Sequence, residues 1–299
     1  MDLSVYDNVE NGIRECFGSD VSVIGKNSVG GGDINDAFVL QLSNGEKAFM
    51  KTNSVSNKDF FKEEARGICA IVSTGTIRTP DLFFRGADEK NGYAFLVMEY
   101  IGSAGRCPDF WSEFGRSLAA MHLSETASFT ESGRYGFMHD NYIGASKQIN
   151  EPRDSWICFF AECRLEVQFD MAKRYFNDTD KKKILRLLER LPVLLSKPER
   201  PSLLHGDLWS GNYMIGNDGK AWLIDPAVYV GHAEADLAMT ELFGRFPSEF
   251  YKAYSEVNPI DPGYNDRRDL YNLYHLLNHL NLFGATYLSA VMSTVEYYG

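Results

Sequence analysis

Residues 203–227 read LLHGDLWSGNYMIGNDGKAWLIDPA and decide the fold of this chain. Two short apolar strands flank an Asn-Asp-Gly turn there, which is typical of a hairpin. Asp207 is followed after five residues by Asn212, and Asp225 comes thirteen residues later. Kinases use such a set as the base that takes the hydroxyl proton and as two oxygen ligands for Mg²⁺. Asp207 and Asn212 alone could simply stabilise a tight turn through side-chain hydrogen bonds to its backbone. The additional Asp225, between apolar strand residues, favours a phosphotransferase site.

Three upstream features follow the order that a kinase requires. A glycine loop lies between two predicted strands, where backbone N–H groups can approach the phosphates of ATP. A lysine ends the third strand, and a glutamate follows thirteen residues later in a predicted helix. Taken singly, these would be a hairpin tip, an edge charge and a surface carboxylate, but their joint order favours a nucleotide site. The residues concerned are Gly30, Gly31, Gly32, Lys51 and Glu64.

The hydrophobic period changes along the chain. Short alternating runs predict strands near 21–25, 37–42, 47–52, 81–87 and 93–101, with one amphipathic helix over 57–72. Beyond residue 108 the period is helical, and predicts helices near 109–123, 155–176, 180–195, 233–243 and 264–295. The segment 124–153 has no regular pattern. We therefore predict an α+β, bilobal, protein-kinase-like fold, with a small antiparallel nucleotide-binding lobe at 1–101 and a larger, mainly helical catalytic and substrate-binding lobe at 102–299.

Composition excludes several classes of protein. The 299 residues carry 30 Lys and Arg against 41 Asp and Glu, a net charge of −11. This balance disfavours nucleic acid and anionic membranes as partners, because both require a basic face. Five scattered cysteines without a C-x-x-C motif indicate reduced thiols. The acidic N-terminus excludes a secretory signal, and no apolar stretch is long enough to span a membrane, so we expect a cytoplasmic protein.

Four stretches carry a family resemblance: LLHGDLWSGN, IDPAVYVGHAEADLAM, DNYIGASKQIN and LYHLLNHLNLFG. They resemble the fructosamine kinase (ketosamine-3-kinase) family, within the aminoglycoside and choline kinase-like group. The resemblance runs from the glycine loop almost to the C-terminus. It implies ATP and Mg²⁺ as cofactors and transfer of the γ-phosphoryl group to the 3-hydroxyl of a free or protein-bound ketosamine. The resulting 3-phosphate is unstable and releases the amine, so the implied activity is deglycation.

The resemblance also implies roles for individual residues. Asp207 is the expected general base, Asn212 and Asp225 the Mg²⁺ ligands, and Lys51 with Glu64 the phosphate-anchoring pair. The Glu99 carbonyl and the Ile101 N–H are expected to bind adenine. Many family members have a cysteine after the three glycines, where this chain has Asp33, so no redox switch is inferred.

Other polar and aromatic residues are weaker candidates. The Trp209 indole is suited to lie against a sugar or an ammonium group, or else packs under the loop. Gln148 and Asn150 either contact the sugar or bond their own segment. His205 and Asp236 are expected to support the site, although Asp236 could be a plain first-turn carboxylate. His275 and His279 have the spacing of zinc ligands, but their leucine-rich surroundings predict packing histidines.

Two alternative functions remain open at this point. The catalytic set recognises phosphate and metal rather than the acceptor, so an aminoglycoside- or choline-type phosphotransferase is the first alternative. The second is a nucleotide-binding regulator that has lost catalysis, which the intact set of Asp207, Asn212 and Asp225 disfavours. A serine hydrolase would require a G-x-S-x-G motif, which the sequence lacks. The oligomeric state does not follow from the sequence.

Overall fold

The structure is a computed structural model that describes residues 3–30, 34–102, 104–131 and 133–299. The N-terminal part is a six-stranded sheet, whose strand order is β1-β5-β6-β4-β3-β2. All neighbouring strands are antiparallel except the parallel pair β1 and β5. The strands are β1 (Val5–Tyr6), β2 (Val23–Val29), β3 (Asp36–Leu42), β4 (Lys47–Ser54), β5 (Leu82–Asp88) and β6 (Tyr93–Glu99).

Two helices pack against this sheet. Helix α2 (Lys58–Ser73) was predicted from its apolar spacing, whereas α1 (Val9–Phe17) was not predicted. Asn8 caps α1 by accepting a hydrogen bond from the backbone N–H of Asn11. The helix buries Ile13 in the sheet-side core together with Phe84. Only nine residues long and interrupted by a glycine, α1 gives a weak local signal.

The rest of the chain is mainly helical. Its helices are α3 (Phe110–His122), α4 (Trp156–Phe160), α5 (Glu166–Met171), α6 (Asp178–Leu194), α7 (Ala233–Leu242), α8 (Ser248–Val257), α9 (Tyr264–Phe283) and α10 (Leu288–Tyr298). Three two-stranded sheets lie among them, in the pairs β7 with β8, β9 with β12 and β10 with β11. These strands are β7 (Asn141–Ile143), β8 (Ser146–Gln148), β9 (Ser202–Leu204), β10 (Tyr213–Ile215), β11 (Ala221–Leu223) and β12 (Tyr229–Gly231).

The helical part differs from the sequence-based prediction in four places. Helix α8 was not predicted, and β7 and β8 form a hairpin inside the segment that had no assigned structure. The helix predicted over 155–176 contains a turn of π-helix at Ala161–Leu165 between α4 and α5. The helix predicted over 264–295 ends at Gly284, whose φ of +91° no ordinary helix accommodates.

The largest hydrophobic core lies in the helical part. It joins α3, α8 and α9 to the paired strands β9 and β12. The sheet has its own core on the α1 side, which includes Leu40, Phe84 and Phe95. Among the described residues, none of the helices combines the length and apolarity that crossing a bilayer requires. The α+β, two-lobed architecture predicted from the sequence is confirmed.

Candidate active site

The loop between β9 and β10 is held from below by one buried carboxylate. Asp236, in the first turn of α7, accepts hydrogen bonds from the backbone N–H groups of His205 at 2.7 Å and Gly206 at 2.9 Å. His122 Nε2 lies 3.1 Å from the same carboxylate, and its Nδ1 lies 2.7 Å from the Tyr254 hydroxyl. Burial opposes ionisation, but the His122 hydrogen bond holds the pKa of Asp236 below its usual value. Asp236 therefore fixes the backbone immediately before Asp207.

Gly206 lets the loop approach the strand that leads into β12. Its φ is +82°, and a Cβ atom there would lie 2.0 Å from the carbonyl oxygen of Ala227. The Ala227 N–H donates to the carbonyl of His205 at 2.9 Å. His205 then joins both sides of the site, because its Nε2 donates to the carbonyl of Ile224 at 2.9 Å and its Nδ1 accepts from the N–H of Asp207. The loop is thereby tied to the segment that follows β11 and carries Asp225.

Asp207 and Asn212 lie side by side at the open end of this loop. The Asn212 amide donates to Asp207 Oδ2 at 3.0 Å and to the Asp207 backbone carbonyl at 2.8 Å. Burial, together with the carboxylates of Asp225 and Asp236, raises the pKa of Asp207 to about 7. The Asn212 bond orients Oδ2, while Oδ1 lies 3.7 Å from His275 Nδ1. A carboxylate held in this way can accept a proton from a hydroxyl group.

A buried lysine connects the sheet to the catalytic hairpin. On β4, Lys51 pairs with Glu64 of α2, with Nζ and Oε1 2.6 Å apart, and also contacts the Asp225 carboxylate. Burial alone would lower the pKa of Lys51, but the Asp225 and Glu64 carboxylates raise it above its usual range. Asp225 has a φ of 55°, a left-handed conformation that aspartate tolerates better than most residues. The predicted Lys51 and Glu64 pair is therefore close to the predicted metal ligand.

The oxygens that could hold Mg²⁺ come from Asn212 and Asp225. The Ile224 N–H donates to the Asn212 carbonyl, which places these two residues on adjacent backbone segments. Because the Asn212 amide nitrogen is engaged with Asp207, its Oδ1 is the atom left for a ligand. Among the described residues, no group of three or more His, Cys, Asp or Glu side chains has metal-binding geometry. A site with few protein oxygens fits Mg²⁺, which keeps waters and phosphate oxygens as its other ligands.

The predicted nucleotide contacts lie at the ends of strands. Gly30 follows β2 directly, and none of the described residues other than its chain neighbours comes within 4 Å of the position that a Cβ atom would take there. Gly31, Gly32 and Asp33 lie outside the described residues. Glu99 ends β6, and its side chain accepts from the N–H of Asp81, while Ile101 is buried just beyond the strand. The roles of Gly30, Glu99 and Ile101 in binding adenine and phosphate remain predictions.

Trp209 lies within the catalytic loop and is only half-buried. Its indole packs over Gly211, where a Cβ atom would lie 2.4 Å from the ring. The ring meets Phe243 edge-on, with centroids 6.0 Å apart. The ring packs against the loop and Phe243 and is partly exposed, and its contact with the acceptor stays a prediction.

A sugar contact of Gln148 and Asn150 stays a prediction, and the structure favours the other interpretation, in which both side chains bond within the protein. Both are almost fully buried, with 2% and 1% of their surfaces exposed. The Gln148 amide donates to Asn141 and to the Ala227 carbonyl, and its oxygen accepts from Tyr274. Asn150 donates to the His139 carbonyl and accepts from Arg164 at 2.8 Å. Their polar atoms are used in bracing the hairpin of β7 and β8 under the site.

His275 lies next to the catalytic carboxylate, although its sequence pattern predicts only a packing histidine. Its ring is buried, and its Nδ1 lies 3.7 Å from Asp207 Oδ1. His279, one turn later, donates from Nδ1 to the His275 carbonyl and packs against Phe243. Periodicity could place His275 on a buried helix face but could not show that this face meets Asp207.

A two-part fold with Lys51, Glu64, Asp207, Asn212 and Asp225 converging in this way defines an ATP-dependent phosphotransferase of the protein-kinase-like fold. Comparison with known proteins identifies the family. The profile of the family described as fructosamine kinase matches residues 5–298, and the chain belongs to that family. The family resemblance inferred from the sequence is confirmed.

Individual relatives agree with this assignment. A probable ketoamine kinase of Synechocystis sp. is 39% identical over 94% of this chain and 92% of its own length. A chloroplastic protein-ribulosamine 3-kinase of Oryza sativa subsp. indica is 41% identical over 97% of this chain and 84% of its own. The crystal structure of a putative fructosamine-3-kinase from Haemophilus somnus superimposes with a TM-score of 0.86 at 27% identity, covering 97% of this chain and 96% of that one.

Proposed function

We propose that this protein transfers the γ-phosphoryl group of ATP to the 3-hydroxyl of ketosamines, free or protein-bound, and thereby initiates their deglycation. The carrying observation is the Asp207 carboxylate, oriented by Asn212 beside Lys51 and Asp225, in a chain of the fructosamine kinase family. The names of the ketoamine and ribulosamine kinases at about 40% identity support the acceptor class.

In this proposal the hydroxyl oxygen of the acceptor forms a bond to the γ-phosphorus of ATP, and Asp207 accepts the hydroxyl proton. The bond between the γ-phosphorus and the oxygen that bridges to the β-phosphate breaks, and ADP leaves. Lys51, fixed by Glu64, holds the phosphates in line. Asn212 Oδ1 and the Asp225 carboxylate are the oxygens that would hold Mg²⁺, and the ion would supply positive charge to offset the charge that develops on the transferred group. Asp236 and His205 keep the loop rigid, so that the base does not have to be repositioned during the reaction.

We also infer that the chain divides near residue 101 into the two lobes of one catalytic unit, 1–101 and 102–299. The end of β6 at Glu99 and the start of α3 at Phe110 support this division. Trp209 is the residue we assign to the acceptor side, because part of its ring is exposed two residues after Asp207.

The test is a substrate panel assayed by ATP consumption and by phosphate ester formation. Ribulosamine and fructosamine are compared with an aminoglycoside and with choline, at the same ATP and Mg²⁺ concentrations. We expect turnover of at least one ketosamine with kcat/KM at least tenfold above the other acceptors. If the enzyme prefers the aminoglycoside or choline, ketosamines are not its acceptor class, and the alternative phosphotransferase function takes their place. ATP binding without any phosphotransfer would favour a regulator.

A further inference from the structure

The buried histidines around the site differ in how their ring nitrogens are used. His122 and His205 have both nitrogens within hydrogen-bond distance of a partner, and His232 Nδ1 accepts the N–H of Glu234. His275 Nδ1, by contrast, is buried and has no hydrogen-bond partner among the described residues. Leaving such a nitrogen unpaired costs free energy, so its position calls for an explanation.

The unpaired nitrogen faces the catalytic carboxylate. His275 Nδ1 lies 3.7 Å from Asp207 Oδ1, and the two side chains are 4% and 21% exposed. This distance is too long for a hydrogen bond. Burial, aided by His279, lowers the pKa of His275 to about 3, so the ring is neutral and does not form an ion pair with Asp207. Packing alone does not require a nitrogen at this place, and a third group is needed to use it.

The separation of 3.7 Å between these two atoms suits an acceptor that has oxygens on neighbouring carbons, one for each group. If the reacting hydroxyl donates to Asp207 Oδ1, an oxygen on the adjacent carbon falls within hydrogen-bond reach of a group less than 4 Å from that carboxylate. A neutral imidazole with its proton on Nδ1 donates to such an oxygen, whether it belongs to a hydroxyl or to a carbonyl. Choline has a single oxygen and cannot use both groups.

We propose that His275 is a specificity-determining residue whose Nδ1 hydrogen-bonds the acceptor oxygen vicinal to the hydroxyl that Asp207 deprotonates. The site then selects acceptors with two oxygens on adjacent carbons, such as sugar-derived ketosamines, over simple amino alcohols. This inference rests on the proposed function for the role of Asp207. It adds a hydrogen bond that recognises the acceptor and not the phosphate.

The first experiment compares His275→Phe with His275→Asn in the full chain. Phe fills the buried space without a polar atom, whereas the Asn amide lies near the position of Nδ1 and can replace its hydrogen bond. We expect Phe to weaken acceptor binding roughly 10- to 100-fold and Asn to recover most of that loss. The KM for ATP should stay within about twofold of wild type in both variants, as the proposed contact does not involve the nucleotide. Thermal melting shows whether each variant is folded.

His279→Asn is the matched control. It removes a histidine from the same helix one turn later, and its own Nδ1 is already engaged with the His275 carbonyl. We expect acceptor KM in this variant to remain within about threefold of wild type. Equal losses in His279→Asn and His275→Phe, or no rescue by His275→Asn, would overturn the proposal in favour of a packing role.

Acceptor analogues identify the contact. Fructosyl-lysine is compared with its 4-deoxy analogue and with the analogue in which the C2 oxygen is replaced by hydrogen. With one of these two analogues, wild type and His275→Phe should differ little in acceptor KM, because removing the oxygen and removing the imidazole delete the same hydrogen bond. The proposal is overturned if the difference persists with both analogues.

A binding measurement separates this inference from the proposed function. Calorimetric titration of fructosyl-lysine into the ADP complex does not depend on turnover, and ¹⁵N-histidine spectra report on Nδ1 directly. Wild-type binding with a shift of the His275 signal, but no phosphotransfer, would refute the proposed reaction and retain the His275 contact. Phosphotransfer with binding unaffected by His275→Phe would retain the reaction and refute the contact. Absence of any binding by wild type would refute both.

Discussion

Asp207 is the residue on which the proposed chemistry depends most directly. Its Oδ2 is fixed by the Asn212 amide, and its Oδ1, 3.7 Å from His275 Nδ1, is the oxygen that we assign to the acceptor. Asp207→Asn keeps an oxygen that can accept this bond but cannot take a proton. We expect kcat to fall roughly 10²- to 10⁴-fold, with ATP affinity within a few-fold of wild type. Steady-state kinetics and ATP titration measure both, and a kcat within fivefold of wild type would remove Asp207 as the base.

Gly211 provides a second test at the scale of the residue. A methyl group there would collide with the Trp209 ring, at 2.4 Å from the nearest atom, so Gly211→Ala must displace the indole or the loop. We expect the KM for the acceptor to rise about fivefold or more while the KM for ATP changes little, since Trp209 is assigned to the acceptor side. Ser210→Ala, exposed in the same loop, is the control. If the acceptor KM does not change in Gly211→Ala, Trp209 only packs.

At the scale of the element, helix α7 supports the catalytic loop through one side chain. Asp236 accepts two backbone N–H groups from the loop, and an amide has only one oxygen to replace two. Asp236→Asn should therefore lower the free energy of unfolding by about 2–4 kcal/mol and reduce kcat as well. Urea denaturation measures the first effect, and Asp266→Asn, on an exposed turn of α9, is the control. A loss below about 0.5 kcal/mol would contradict the bracing role.

The start of α7 also makes stability depend on pH. His232 caps the helix, because its Nδ1 accepts from the N–H of Glu234 at 3.0 Å. Burial, and then the nearby Arg267, lowers the pKa of His232 to about 3. Below its ordinary pKa of 6.5, the unfolded chain takes up a proton that the folded chain does not. This contribution to stability is therefore complete above pH 6.5 and is lost as the pH falls toward 3.

His232→Asn separates this histidine from the other titrating groups. The Asn oxygen can cap the helix without taking up a proton, although the ring packing against Trp156 is lost. Arg267, Glu234 and Asp261 surround the site and are unchanged. Between pH 6.5 and 4.5 we expect the free energy of unfolding to fall less steeply in the variant than in wild type. The difference between the two slopes should correspond to close to one proton taken up on unfolding. Urea denaturation at each pH measures this free energy. If it changes with pH equally in wild type and variant, the assignment to His232 is contradicted.

At the scale of the whole molecule, the sequence predicted what is local and missed what depends on contacts between distant segments. The loop with Asp207 and Asn212, the hairpin after it and helix α2 all carry short-range patterns. The contact of His275 with Asp207 joins α9 to a loop 68 residues earlier, and no periodicity shows such a contact. The strands of the hairpin of β7 and β8 have three residues each, which is too short for an alternating pattern to be recognised. The hairpin is also held by side-chain hydrogen bonds of Gln148.

The Lys51 contacts make nucleotide binding a property of the whole molecule. Lys51 joins β4 to α2 through Glu64 and to the catalytic hairpin through Asp225, 174 residues away. A ligand that binds only the folded state stabilises it by about 2.7 kcal/mol at a hundred times its Kd. For a chain of this size we therefore expect ATP with Mg²⁺ to raise Tm by about 4 °C.

Lys51→Met tests whether this stabilisation passes through the lysine. The variant leaves the buried Glu64 without its cation, so we expect a lower Tm without ligand and a shift with ATP and Mg²⁺ less than half that of wild type, because the phosphates lose their ammonium partner. Lys58→Met, whose ammonium is exposed and 3.5 Å from Glu89, is the matched control and should retain the full shift. A full shift in Lys51→Met at the same ligand concentration would show that Lys51 does not anchor the phosphates.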